Sequence, residues 1–148
     1  YCLAIAERLE GSGHVYAVDV QRDLLRRISN EATRRGLANV EVLWGDLERP
    51  SGSKLREGTM DLVLVSNLLF QVPDKKTPLF EARRILKPAG RLVIIDWLES
   101  FGGMGPVEED VVDKEKALEL GRDSGFELIK EFPAGAHHYG LIFRPTAK

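Results

Sequence analysis

Hydrophobic residues recur along this chain with two different periods, and the alternation predicts a series of helices and strands. Apolar residues spaced three or four apart predict helices over the first ten residues, over 23–35, from Thr77-Pro78 to Leu86, and over 113–124. Short runs rich in β-branched and aliphatic residues predict strands between them. The strands are HVYAVD (14–19), VEVLW (40–44), DLVLVS (61–66), RLVIID (91–96), FELIKEF (126–132) and HYGLIFR (138–144).

Glycine, proline and small polar residues mark where these elements end. Gly36 predicts the stop of the second helix, Thr77 a cap before Pro78, and residues 87–90 the end of the third helix. Residues 97–112 follow neither period and predict an irregular segment. Strands that alternate with helices predict an α/β fold with a doubly wound, mostly parallel sheet, and the closely spaced last two strands predict a C-terminal antiparallel hairpin.

Composition narrows the class of protein further. The 148 residues suit one domain, and a net charge of −2 with interspersed signs gives no basic surface that would attract nucleic acid. No apolar run approaches the about 18 residues that span a bilayer, so we expect no stable membrane insertion. The single cysteine, Cys2, forms no internal disulfide, and no metal-ligand spacing is present, so we expect a cytoplasmic protein without a metal site.

Polar residues stand at the carboxyl ends of the first four predicted strands, where open α/β sheets bind their ligands. They are Asp19-Val20, Gly45-Asp46-Leu47, Ser66-Asn67-Leu68 and Asp96-Trp97. A carboxylate accepts two hydrogen bonds at once, which suits a ribose diol. Aspartate at such a position also commonly caps a turn or a helix, and this structural interpretation stays open for each of them.

Five stretches in family order make the chain resemble the class I S-adenosylmethionine-dependent methyltransferases, particularly the ubiquinone/menaquinone biosynthesis C-methyltransferase group. They are GHVYAVDVQRDLL, GLANVEVLWGDLE, DLVLVSNLLFQVPD, EARRILKPAGRLVIIDW and GFELIKEF with HHYGLIF. The resemblance implies a Rossmann-like sheet of seven strands and S-adenosylmethionine as the cofactor. It further implies a small-molecule substrate.

The same resemblance implies a role for each strand-end residue. Asp19 would hold the ribose hydroxyls, with Val20 against the adenine face. Asp46 would accept the adenine amine while the Leu47 backbone contacts the neighbouring ring nitrogen. Ser66 and Asn67 would line the space beside the methionine part and the transferring methyl group.

The first strand of that family and its glycine-rich loop would immediately precede Tyr1. Gly11-Ser12-Gly13 does not replace the loop, because it precedes a strand instead of following one. The chain is therefore interpreted as a single methyltransferase domain over 1–148 that is incomplete at its N-terminus. The six remaining strands must then pair across a gap or leave strand edges bare.

Methyl transfer from a sulfonium is a direct displacement that needs alignment of the reactants, and a base only where the nucleophile carries a proton. No catalytic residue is assigned. His137, His138 and Tyr139 face the substrate edge if the last strand is antiparallel; the alternative is that they are turn residues with solvated rings. The candidates for an apolar lid over the substrate are Phe70, Trp97, Phe101 and Met104. The alternative is that they pack in the core.

The leading hypothesis is an enzyme that transfers a methyl group from S-adenosylmethionine to a small, apolar or aromatic molecule. The alternative is a methyltransferase-like domain without catalysis that serves as a binding or scaffold module. A nicotinamide-dependent reductase is disfavoured because no tyrosine has a lysine four residues later. Thiol-dependent arsenite methylation is disfavoured because the resemblance implies several cysteines and the chain has only Cys2.

Overall fold

Helices and strands alternate through residues 1–147, the part of the chain that this computed structural model describes. The chain divides into two units, Tyr1–Lys54 and a second that begins at Leu55. The helices are α1 (Cys2–Leu9), α2 (Arg22–Arg34), α3 (Lys76–Ile85) and α4 (Lys114–Asp123). The strands are β1 (Val15–Asp19), β2 (Val40–Trp44), β3 (Met60–Ser66), β4 (Leu86–Trp97), β5 (Phe126–Pro133) and β6 (His138–Pro145).

The first unit is a two-stranded parallel sheet with two helices. β1 and β2 pair in register from Val15 opposite Val40 to Asp19 opposite Trp44, so the carboxyl ends of both strands lie side by side. The predicted stop of α2 is confirmed. Gly36 has a left-handed backbone with φ 69°, and the Leu37 amide returns to the Ala32 carbonyl at 2.9 Å, which is the hydrogen-bond pattern of a Schellman cap.

The second unit is a four-stranded mixed sheet in the order β3-β4-β6-β5. β3 and β4 are parallel, and β6 is antiparallel to both β4 and β5. The α/β class and the C-terminal antiparallel hairpin are therefore confirmed. The core of this unit is apolar and closely packed; its fully buried side chains include Leu69, Leu79, Leu92, Ile94, Leu141 and Phe143.

The start of α3 differs from the sequence prediction. The helix begins at Lys76, and Thr77 does not cap it. Asp74 supplies the hydrogen bonds instead, because its carboxylate accepts from the Lys76 amide at 3.0 Å and from the Thr77 hydroxyl at 2.6 Å. Pro78 is tolerated two residues inside the helix because the amides of the first turn have no partner within a helix in any case.

β4 is longer than predicted, because it begins directly after α3 at Leu86 instead of at Arg91. Residues 87–90 bulge from the strand: Met60 pairs with Leu86 but Leu62 pairs with Arg91. The bulge is held closed by Lys87, whose Nζ lies 2.8 Å from a carboxylate oxygen of Asp61.

Among the described residues, β1 pairs only with β2. β3 is an edge strand of the second sheet and pairs only with β4. The six predicted strands are all present, and within residues 1–147 they form a two-stranded and a four-stranded sheet. The interpretation of residues 1–148 as one domain stays a prediction. Within residues 1–147 no helix has the length and apolar character needed to cross a membrane.

Candidate functional site

Asp19 ends β1, and its two carboxylate oxygens have different surroundings. Oδ1 accepts a hydrogen bond of 2.7 Å from the Gln21 amide and so shapes the turn into α2. None of the described residues donates a hydrogen bond to Oδ2. Val20 follows with half of its side chain exposed. The structural role predicted for such an aspartate is therefore present at one oxygen, while the other remains available to a ligand.

Asp46 lies next to the end of β1, because the amide of Gly45 donates to the Asp19 carbonyl at 3.2 Å. Its Oδ1 accepts from the Glu48 amide at 3.1 Å, and its Oδ2 pairs with Nε of Arg49 at 3.0 Å. The Arg49 side chain is 80% exposed, so this pair is at the surface. Both oxygens of Asp46 are engaged locally, and a ligand would have to share or displace Arg49.

The loop after Asp46 is held tightly against it. The Asp46 amide donates to the Gly52 carbonyl at 3.2 Å, and a Cβ at Gly52 would lie 1.7 Å from the Asp46 carbonyl oxygen. Only glycine fits there without moving the backbone. Leu47 is half-buried at the beginning of this loop. The loop therefore fixes the backbone on either side of the predicted adenine contacts.

Trp44 is a feature of this edge that the sequence analysis did not single out. Its indole is 39% exposed, it is the register partner of Asp19, and its Nε1 donates to the Val20 carbonyl at 3.0 Å. Nζ of Lys54 lies 4.6 Å from the ring centroid and Cζ of Arg22 lies 5.2 Å from it, both within cation–π distance. The signal available in the sequence was an aromatic residue at the carboxyl end of a strand.

Ser66 and Asn67 lie in the second unit, at the end of β3. The Ser66 hydroxyl oxygen is buried and has no hydrogen-bond partner among the described residues, which is uncommon for a buried polar group. Asn67 has a left-handed backbone with φ 51°. Its amide donates to the Ile95 carbonyl at 2.9 Å, and its own carbonyl accepts from the Gln71 side chain. The backbone around Asn67 is therefore fixed on both sides.

Asn67 contacts one of the three residues that were predicted to face the substrate edge. Nε2 of His138 lies 2.9 Å from Oδ1 of Asn67, and the His138 ring packs on Trp97 with centroids 4.2 Å apart. His137 instead stacks on Phe101 at 3.7 Å. His138 is thus the candidate that the fold brings to a predicted site residue.

Tyr139 belongs to the core, so both sequence interpretations of this residue are wrong. It is 4% exposed, and its hydroxyl donates to the Val112 carbonyl at 2.7 Å. Burial raises the pKa of the Tyr139 hydroxyl far above its ordinary value. Tyr139 is buried because side chains alternate along β6, so that Tyr139 lies on the face opposite His138.

Asp96 is also buried, unlike the other two strand-end aspartates. It is fully inaccessible, and its carboxylate accepts from the Leu69 amide at 3.1 Å and from the Trp97 amide at 2.9 Å. Burial raises the pKa of Asp96, and the charges of His138 and Lys75 act in the opposite direction. Asp96 therefore anchors the backbone at this edge instead of presenting a carboxylate to a ligand.

The predicted lid residues divide into two groups. Phe70 packs against the core cluster, as the structural alternative predicted. Phe101 and Met104 bridge through their backbones and are 40% and 57% exposed. Trp97 covers Gly105, where a Cβ would lie 2.5 Å from the indole. The segment that follows β4 therefore carries exposed apolar side chains next to Trp97.

Each of the two units carries a surface groove. One of about 680 Å³ lies beside the turn that ends α1, and one of about 540 Å³ lies between α4 and the last hairpin. Neither is lined by a predicted site residue.

Comparison with protein families gives a match to the methyltransferase domain over residues 1–141. A demethylmenaquinone methyltransferase of Geobacillus sp. strain WCH70 is 31% identical over 96 residues, which are 65% of this chain and 40% of the relative. An arsenite methyltransferase of Aquipseudomonas alcaligenes is 36% identical over 100 residues, which are 64% of this chain and 29% of the relative. The chain spans less than half the length of these relatives.

Solved structures share the fold over nearly the whole chain. A SAM-dependent methyltransferase from Aquifex aeolicus superposes with a TM-score of 0.85 at 24% identity, covering 97% of this chain and 74% of its own. The [4+2]-cyclase SpnF superposes with a TM-score of 0.80 at 16% identity, covering 99% of this chain and 71% of its own. These similarities establish the Rossmann-like fold.

Proposed function

We propose, because the chain belongs to the methyltransferase domain family, that the protein transfers a methyl group from S-adenosylmethionine to a small apolar or aromatic molecule. The observation that carries the proposal is the Asp19 carboxylate, whose Oδ2 has no partner among the described residues. An unpaired carboxylate oxygen at the carboxyl end of a parallel strand suits a ribose hydroxyl.

The other nucleoside contacts are assigned within the same unit. The exposed Val20 side chain offers an apolar surface to the adenine ring, and Asp46 would accept the adenine amine once Arg49 moves or shares the carboxylate. The Leu47 amide would bind the adjacent ring nitrogen. The closed loop that includes Gly52 supports these two assignments, because it limits motion of the backbone that presents them.

In the second unit, Ser66 and Asn67 are assigned to the methionine part of the cofactor. The buried Ser66 hydroxyl without a partner supports this, because a ligand group would satisfy it. S-adenosylmethionine, when bound, supplies an electrophilic methyl group on a sulfonium. The task of the protein residues is then to hold the acceptor in line and to exclude water.

An apolar or aromatic acceptor is favoured by the segment after β4. Leu98, Phe101, Met104 and Val107 expose between 40% and 62% of their surfaces, so apolar side chains cluster along one short segment. Pockets for small molecules are mostly apolar with few polar groups. One relative is named as a demethylmenaquinone methyltransferase and another as an arsenite methyltransferase.

The experiment is calorimetric titration with S-adenosylhomocysteine, followed by transfer of a radiolabelled methyl group from S-adenosylmethionine to 1,4-dihydroxynaphthalene. We expect binding and labelled product. The absence of nucleoside binding would contradict the proposed function at its first step. Asp23→Asn serves as the matched control for Asp19, because the Asp23 side chain is 80% exposed and pairs with the neighbouring Arg26.

The second candidate is a methyltransferase-like domain that binds ligands without transferring a methyl group. The engagement of both Asp46 oxygens by local groups favours it. The fold similarity to a protein named as a cyclase also shows that this architecture is compatible with another named activity. Nucleoside binding without methyl transfer to any aromatic acceptor would support this second candidate.

A further inference from the structure

We propose that His138 accepts the proton of the molecule that is methylated. The substrate therefore carries a hydroxyl, amine or thiol proton on the attacked atom. The inference rests on the proposed function and adds a catalytic residue to it. It is carried by the contact between Nε2 of His138 and Oδ1 of Asn67 at 2.9 Å.

The contact fixes which ring nitrogen carries the proton. An amide oxygen only accepts hydrogen bonds, so Nε2 of His138 is the donor and the neutral ring keeps its lone pair on Nδ1. None of the described residues forms a hydrogen bond with Nδ1. A neutral imidazole with a free lone pair is the form that a general base requires.

Asn67 is well placed to hold His138 in this form because its own position is fixed. Its left-handed backbone is tied by the Ile95 carbonyl and by the Gln71 side chain. Trp97 packs on the other part of the ring, with centroids 4.2 Å apart and planes inclined by 42°. An amide at one edge and an indole on the face together restrict rotation of the imidazole.

Charged residues in the neighbourhood of His138 include Asp96 and Glu99. The Asp96 carboxylate on the neighbouring strand interacts with His138 electrostatically, and Lys75 is the other charge that acts on Asp96. Glu99 is 3.4 Å from His137 and so belongs to the adjacent ring.

The proposed step balances as follows. The bond between sulfur and the methyl carbon breaks, and its electron pair stays on sulfur to give a neutral thioether. The attacked atom forms the bond to the methyl carbon, and its proton passes to Nδ1 of His138. The positive charge of the sulfonium thus leaves as the imidazolium proton, which buffer then removes.

The test compares two acceptors in the full chain. His138→Gln keeps an amide donor for Asn67 but has no basic nitrogen. With 1,4-dihydroxynaphthalene, which is protonated in neutral buffer, we expect kcat/KM to fall about 100-fold or more. With thiophenol, which is largely thiolate in mildly alkaline buffer, we expect the variant to stay near the wild type. His14→Gln, a half-exposed histidine beside Glu41 in the other unit, is the matched control and should not change either rate.

Equal losses with both acceptors, or retention of both rates, would overturn the proposal. Nitrogen-15 NMR of the histidine side chains provides a readout that needs no turnover. We expect a proton on Nε2 of neutral His138 and a shift of its Nδ1 resonance when 1,4-dihydroxynaphthalene is added. A proton on Nδ1 contradicts the proposal. If the wild type does not bind S-adenosylhomocysteine, this result counts against the proposed function itself.

Discussion

Replacing Asp19 by asparagine separates two tasks that its carboxylate oxygens perform. Oδ1 accepts from the Gln21 amide at 2.7 Å and forms the turn into α2, and an asparagine carbonyl accepts the same hydrogen bond. Oδ2 has no partner among the described residues, and in the proposed complex it binds a ribose hydroxyl. Asp19→Asn should therefore weaken nucleoside binding while it preserves the turn.

The magnitude follows from the kind of hydrogen bond that is lost. A hydrogen bond to a charged group contributes about 1.5–3 kcal/mol, which corresponds to an affinity loss of about 10- to 150-fold. The free energy of unfolding should stay within about 0.5 kcal/mol of the wild type, as for a surface substitution. Asp19→Ala removes both acceptors and should lose about 0.5–2 kcal/mol of stability in addition, as helix-start acceptors do.

Calorimetric titration with S-adenosylhomocysteine measures the affinity, and urea denaturation measures the stability. Asp23→Asn controls for the loss of one negative charge near the start of α2, since its carboxylate pairs with Arg26 at 2.8 Å. Wild-type affinity in Asp19→Asn would refute the assignment of Oδ2. Equal destabilisation by Asp19→Asn and Asp19→Ala would refute the division of tasks between the two oxygens.

Three further predictions concern other parts of the molecule. Tyr139→Phe leaves the buried Val112 carbonyl without its donor and should cost about 1–3 kcal/mol of unfolding free energy in urea, more than the control Tyr16→Phe; equal stability of the two variants would contradict this. Hydrogen bonds with Arg34 and Arg35 lower the pKa of Glu31 from 4.5 to about 2. The ionised carboxylate therefore stabilises the folded state above pH 4.5, and this stabilisation is lost as the pH falls toward 2. Glu31→Gln should therefore flatten this acid limb in thermal unfolding, and an unchanged limb would exclude the contribution. Arg49→Ala frees Asp46 and should tighten S-adenosylhomocysteine binding by up to about 5-fold, because a surface ion pair contributes no more than about 1 kcal/mol; weaker binding would count against Asp46 as a ligand.

The periodicity of the chain was sufficient to predict most of the elements. β2 has the predicted bounds, Gly36 ends the second helix through a Schellman cap, and Asp113 caps α4 by accepting from the Lys116 amide at 2.8 Å. These features depend on local backbone preferences, which the sequence contains directly. The cap of α3 was assigned to Thr77 instead of Asp74 because both residue types favour helix starts, and only side-chain geometry distinguishes them.

Features that depend on which face of a strand is buried were less accessible to prediction. The alternation along β6 separates His138 from Tyr139, but only the pairing of β6 with β4 and β5 determines which of them enters the core. The same limitation applies to Trp44. Its ring lies near Arg22, which is distant from it in sequence, and near Lys54, which lies in the loop after β2. Such contacts require the tertiary structure, because propensity does not encode them.

Three aspartates end predicted strands of this chain, and burial distinguishes their roles. Asp96 is fully inaccessible and satisfies two backbone amides, so removing its charge would disturb the core and test nothing about a ligand. Asp46 is partly exposed but paired, so its role as a ligand depends on the weak bond to Arg49. Asp19 alone combines partial burial with an oxygen that no described residue engages. A functional hypothesis for the strand-end aspartates therefore depends first on Asp19, then on Asp46, and not on Asp96.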